Sequence, residues 1–128
     1  MMATHHVERV LEDLRARIEG FAAALVSRDG TVLHAHLPSE VRAETWAIMC
    51  ATVVGAAVTV NRELCLGPPD HVVLESADFR TVIVASGSRA LLVATVPAYT
   101  DTTTVLTEIG KFADWLASRD VPAASGPS

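Results

Sequence analysis

Between Thr45 and Asn61 the chain carries no charged residue, and this stretch constrains the fold more than any other. It is too long for a single strand and rich in alanine, which favours a helix. A membrane-spanning helix needs about 20 mainly apolar residues. This stretch is shorter and is interrupted by Thr45, Thr52, Thr59 and Asn61, so no membrane insertion is expected. The helix is expected from about Glu40 to Leu64, with Ser39 as its cap and Gly67-Pro68-Pro69-Asp70 as its stop.

A helix lying singly on a sheet needs a broad polar outer face. This one offers a narrow polar line, Thr45, Thr52 and Thr59. Trp46, Met49, Cys50, Val53, Ala57 and Val60 are expected to face the sheet. Ile48, Ala51, Val54, Gly55 and Val58 spread around the remainder. Ala47, Ala51 and Gly55 form a row of small residues. Such a row either fits a helix closely on its sheet or lets two helices approach. The missing polar face favours a contact between two copies, because soluble monomers tolerate only a few hundred Å² of contiguous apolar surface. Two-fold dimers are the commonest oligomers. The helical part of the expected dimer interface is therefore Ala47, Ala51, Val54, Gly55 and Val58.

Elsewhere the chain alternates clear elements. Val7, Val10, Leu11, Leu14 and Ile18 recur at helical spacing, with charged residues between them. Thr4 is the expected cap of this helix, and Gly20 the expected left-handed residue at its end. The apolar runs Phe21–Ser27 and Thr31–Leu37 flank Arg28-Asp29-Gly30, a hairpin signal. Three strands follow the middle helix: His71–Ser76, Phe79–Ser86 and Arg89–Val96. Val82-Ile83-Val84 and Leu91-Leu92-Val93 are continuous apolar runs, so both sheet faces are expected to be covered. Pro97 is expected to end the sheet. Asp101 or one of Thr102 to Thr104 then caps a last helix striped by Val105, Ile109, Phe112 and Leu116. The expected fold is α+β. A five-stranded antiparallel sheet, in the order α-β-β-α-β-β-β-α, carries the first and last helices on one face and the middle helix on the other. If neighbouring strands pair in sequence, Val72, Val73 and Leu74 lie on an apolar sheet edge. Pairing with a second copy would close it.

With 128 residues the chain is one domain, expected over 1–120, and 121–128 reads as a tail rich in Pro, Ala, Ser and Gly. Half the residues are hydrophobic, which excludes a disordered chain. A net charge of −5 argues against a nucleic-acid partner, since phosphate binding relies on Lys and Arg. Cys50 and Cys65 form no CxxC pair, which excludes a disulfide scaffold or a cysteine-based zinc site. The start shows no basic region followed by an apolar run, so a cytoplasmic protein is expected.

The chemistry-bearing residues make no catalytic constellation. His34 and His36 share a strand face without a third ligand and read as a solvated edge pair. His5-His6 and His71 read as terminus and loop. Cys50 reads as a small core hydrophobe, and Cys65 as accessible. Ser86-Gly87-Ser88 joins two strands, so it is no nucleophile elbow. Gly110-Lys111 lacks the rest of a phosphate loop, so this chain is not expected to bind GTP. Asp101 and Glu108 read as a cap and a solvated helix charge. No catalytic residue, metal or cofactor is expected.

Glu19-Gly20-Phe21-Ala22-Ala23-Ala24-Leu25-Val26, then Arg28-Asp29-Gly30, a long small-residue helix and three strands, resembles the Roadblock/LC7 domain. The resemblance covers roughly Val7 to Leu116. It implies a homodimer or heterodimer with paired middle helices and paired third strands, acting by binding rather than catalysis. Its implied partners are a second copy, a small Ras-like GTPase and another Roadblock-like chain. Carried to this sequence, the docking platform is Glu44, Thr45, Ile48, Thr52, Thr59 and Arg62. Arg42 and Arg62 lie at opposite ends of the helix. They read as solubilising charges more readily than as an arginine finger. A competing expectation is a small-molecule sensor or structural adaptor of profilin-, PAS- or longin-like fold. A sensor needs a cavity with convergent polar groups, and the expected interior is Val, Leu, Ile and Ala.

Overall fold

The computed structural model describes residues 2–118. Its elements are α1 (Met2–Arg17), β1 (Ala22–Ser27), β2 (Val32–His36), α2 (Ala43–Glu63), β3 (His71–Glu75), β4 (Phe79–Ser86), β5 (Ala90–Pro97) and α3 (Thr102–Ser118). The element order matches the expectation. The expected tail, 121–128, lies outside the described residues.

The five strands form one antiparallel sheet in the order β2-β1-β5-β4-β3. Because side chains alternate across a strand, β1, β4 and β5 serve two cores at once. On one face Ala23, Leu25, Val82, Leu92, Ala94 and Val96 meet Val7, Leu11, Leu14 and Ile18 of the α1 side and Val105, Ile109, Ala113 and Leu116 of α3. On the other, Ala24, Val26, Ile83, Leu91 and Val93 meet Ala47, Cys50 and Val54 of α2. Each fully buried Leu, Ile or Val contributes ~1.5–3 kcal/mol relative to exposure.

Local chemistry sets the connections. In the turn after β1, the Asp29 carboxylate accepts hydrogen bonds from the Ser27 and Thr31 hydroxyls. These bonds, Ser27's first, hold its pKa below the usual carboxylate value. Gly30 adopts φ 94° and presses on α2: a Cβ there would sit 3.0 Å from Ile48 Cα. Asp101 caps α3 by accepting from the Thr104 N–H at 3.0 Å.

Several expected boundaries shift. α1 already runs from Met2, so Thr4 lies inside it rather than at its cap. The left-handed residue at its end is Glu19, at φ 54°, and not Gly20. Gly20 is small for a different reason: a Cβ would meet the Thr95 carbonyl oxygen at 3.3 Å. α2 begins at Ala43, with Arg42 in the N-cap position and no side-chain cap bond, so Ser39 is not its cap. Pro97 is the last residue of β5 rather than its terminator. It is tolerated at a strand end, where a missing N–H costs least.

Candidate docking surfaces

α2 approaches the sheet through a narrow line. Ala47, Cys50 and Val54 are buried, while Trp46, Val53 and Val58 pack partly against the same core. The opposite side is open. Ile48, Met49 and Val60 are 49%, 52% and 58% exposed. Met49 and Val60 therefore point outward, against the expectation that they face the sheet. Thr52 and Thr59 lie on this outer side, and their hydroxyls donate back along the helix to Ile48 O (2.8 Å) and Gly55 O (3.0 Å). That satisfies the hydroxyl protons locally. The expected polar line is thus less polar than its composition.

All six platform residues, Glu44, Thr45, Ile48, Thr52, Thr59 and Arg62, are exposed on α2. The expected dimer residues divide. Ala47 is fully buried against its own sheet, which removes it from any surface of the protomer. Ala51, Val54, Gly55 and Val58 line one groove of about 240 Å³, closed by Leu91 and rimmed by Arg28, Thr59 and Arg62. Val54 and Val58 reach a neighbouring groove that includes Val72 of β3. Gly55 has nothing within 4 Å of where a Cβ would stand. β3 pairs with β4 alone and forms an edge of the sheet. Val72 and Val73 are half-buried there, and Leu74 is exposed.

α2 is long and apolar enough to cross a membrane, with a mean hydropathy of 1.5 over its most apolar window, of which 17% is buried. In this fold it lies on the sheet instead. Lifting it away would uncover Ala24, Val26, Ile83, Leu91 and Val93.

The remaining polar residues build no reaction centre. His34 is not the solvated residue expected of an edge pair: its side chain is largely covered, with Nδ1 3.8 Å from Glu8 Oε2. His36 Nδ1 lies 3.1 Å from Glu12 Oε1. Arg15 donates to both Glu12 carboxylate oxygens, and this chiefly holds Glu12 below the usual carboxylate pKa. Among the described residues no three His, Cys, Asp or Glu side chains converge as a metal site. Cys50 is buried and its thiol is pushed up to about 11 by desolvation. Cys65 is exposed.

An apolar helix over one face of an edge-open sheet is therefore the most distinctive surface of the molecule. Residues 9–95 match the Roadblock/LC7 domain. The chain belongs to the Roadblock/LC7 family. An uncharacterized protein of Methanocaldococcus jannaschii is 31% identical over 90 residues, covering 70% of this chain and 78% of that protein. Among solved structures, Myxococcus xanthus MglB superposes with a TM-score of 0.85 at 19% identity, covering 91% of this chain and 88% of that one. An MglB with a tetrameric arrangement gives 0.81 at 20% identity, with coverages of 91% and 88%. At these identities the structural likeness establishes the Roadblock/LC7 fold.

Sequence reasoning missed the outward place of Met49 and Val60. The helix is apolar all round, so its periodicity carries no clear phase. It also missed a cluster of exposed aromatics at one end of the sheet, Phe21, Phe79 and Tyr99. Phe21 just precedes β1 and Phe79 opens β4, and their rings meet only in the folded chain, so no local pattern signals it.

Proposed function

We propose that this protein is a homodimeric, non-enzymatic regulator or scaffold that binds a small Ras-like GTPase across paired α2 helices. The observation that carries this reading is the uncharged outer side of α2, with Ile48, Met49 and Val60 exposed beside the groove at Gly55. Water-exposed apolar area of this kind is stabilised by burial against a partner. The open β3 edge, with Val72, Val73 and Leu74, supplies a second pairing surface next to it. Membership of the Roadblock/LC7 family and the tetrameric arrangement of one MglB support self-association.

In this reading the two α2 helices form the floor on which the GTPase docks. Thr45, Ile48, Thr52 and Thr59 supply the central contacts, with Glu44 and Arg62 at its ends. The platform changes the GTPase's nucleotide cycle by holding its mobile loops, not by donating a reacting group.

The experiment is affinity capture followed by calorimetry. Immobilised protein is exposed to source-cell lysate with a GTP analogue or GDP, and a retained Ras-like GTPase is purified and titrated. The expected result is binding in one nucleotide state, lost at least tenfold in Thr52→Arg. No retained GTPase, or a GTPase bound equally by Thr52→Arg, contradicts the reading.

A further inference from the structure

The face of the sheet that α2 covers is finished only at one end. The α2-side core stops at Val72, Ile83 and Val93. Two residues further along each strand, the same face carries Leu74, Thr81 and Thr95, cross-strand partners in register. Leu74 is exposed, and the Thr81 and Thr95 hydroxyls bond each other at 2.7 Å. Beyond Thr81 the face continues to Phe79, 38% exposed. Its ring lies 5.0 Å from that of Phe21, itself 51% exposed. The Phe21 N–H donates to Thr95 O, and the Ala98 N–H to Asp78 O. These bonds bring the start of β1, the β3–β4 turn and the β5–α3 loop to one corner. The loop adds Tyr99, 82% exposed.

The corner is acidic. Glu19 stands two residues before Phe21, Asp78 one before Phe79, and Asp101 two after Tyr99. Glu19 and Asp78 enter no ion pair among the described residues. The arginines that approach are engaged. Arg15 is held by Glu12 and donates to Gly20 O at 3.0 Å. Arg80 lies 3.4 Å from Glu75 and donates to Thr100 O at 3.0 Å. Exposed aromatic rings on segments that also carry unpaired carboxylates suit a cationic, apolar segment: the rings take its apolar side chains and can stack on its cations. The same carboxylates disfavour an anionic lipid surface.

We propose that the Phe21–Phe79–Tyr99 corner is a second docking surface, separate from the outer side of α2, for a basic peptide segment of another protein that carries apolar anchors. The segment lies across the uncovered end of the sheet, with its apolar residues on Phe21 and Phe79 and its Lys or Arg residues towards Glu19 and Asp78. This inference does not depend on a GTPase or on dimer formation.

The probe is a fluorescein-labelled peptide of alternating lysine and leucine, compared with one of alternating glutamate and leucine, read by anisotropy. The lysine peptide is expected to bind at least tenfold more tightly. Phe79→Ser and Tyr99→Ser are each expected to weaken it about tenfold. Tyr99 is so exposed that its replacement leaves the fold intact if Phe79→Ser does not. The pair Glu19→Gln with Asp78→Asn is expected to weaken binding severalfold and to flatten its salt dependence. Equal binding of both peptides, or binding unchanged in Tyr99→Ser and Phe79→Ser, overturns the proposal. So does a fall in self-association of Tyr99→Ser by light scattering, because a second copy would then be the occupant.

Discussion

The two faces of the sheet are closed in different ways. On one, α1 and α3 lie side by side, and their apolar stripes converge on Leu25, Val82, Leu92 and Val96. Their outer surfaces carry charge, including the Arg17–Glu108 and Lys111–Glu108 pairs. On the other face a single helix contributes Ala47, Cys50 and Val54 inward and presents Ile48, Met49 and Val60 outward. The first face is complete within one chain. The second stops short of Leu74 and Phe79 and is apolar on its outside. Burial is therefore concentrated on the first face, and exposed apolar surface on the second.

The largest effect is expected on the closed face. Ile109 is fully buried there, and Ile109→Ala should cost ~2–5 kcal/mol in denaturant unfolding, with the spread set by how far the cavity collapses. Next comes the junction between the sheet and α2. Gly30→Val puts a branched side chain at φ 94° and within 3.0 Å of Ile48 Cα. The combined strain and overpacking should cost ~1–3 kcal/mol, seen as a lowered urea midpoint. Asp101→Ala removes the α3 cap bond to Thr104 and should cost ~1 kcal/mol in the same assay. The smallest stability effect belongs to the open face: Met49→Ser should change protomer stability by less than ~0.5 kcal/mol, because the side chain is half exposed. A large loss there at low protein concentration would place Met49 in a protomer core and break the contrast.

Thiol chemistry sharpens the same contrast without a mutation. At neutral pH a thiol reagent should label Cys65 rapidly and Cys50 only as fast as α2 lifts from the sheet. Burial raises the Cys50 thiol to about 11, above the ~8.5 of an unfolded chain. Its contribution to stability is therefore fully present below the unfolded value and is lost as pH rises towards the folded one. Labelling of both cysteines at one rate would mean that α2 is not held as described.

Much of the fold was legible from residues alone. Asp29-Gly30 between two apolar runs marks the β1–β2 turn, and the continuous runs at Val82-Ile83-Val84 and Leu91-Leu92-Val93 mark strands buried on both faces. The placement of α1 and α3 follows from their one-sided stripes. What the residues did not reveal has physical causes. α2 is apolar on all sides, so its inward line cannot be phased, and Met49, Val60 and Ala47 were read on the wrong sides. Ser39 is a good cap residue by type, but the chain enters the helix later, at Arg42. Glu19 takes the left-handed turn beside a glycine that is needed for its small size. Phe21 and Phe79 stand far apart in sequence, and their rings meet only in the folded chain.

The open face of α2 is expected to pair with a second copy. Gly55→Leu isolates it. The site is empty in the protomer, and leucine favours a helix over glycine by up to ~1 kcal/mol, so the variant fold should be at least as stable. Light scattering behind size exclusion should give the unaltered protein about twice its 13.6 kDa protomer mass and Gly55→Leu the protomer mass. An unaltered protein that runs as a protomer, or a Gly55→Leu variant that keeps the doubled mass, contradicts the claim.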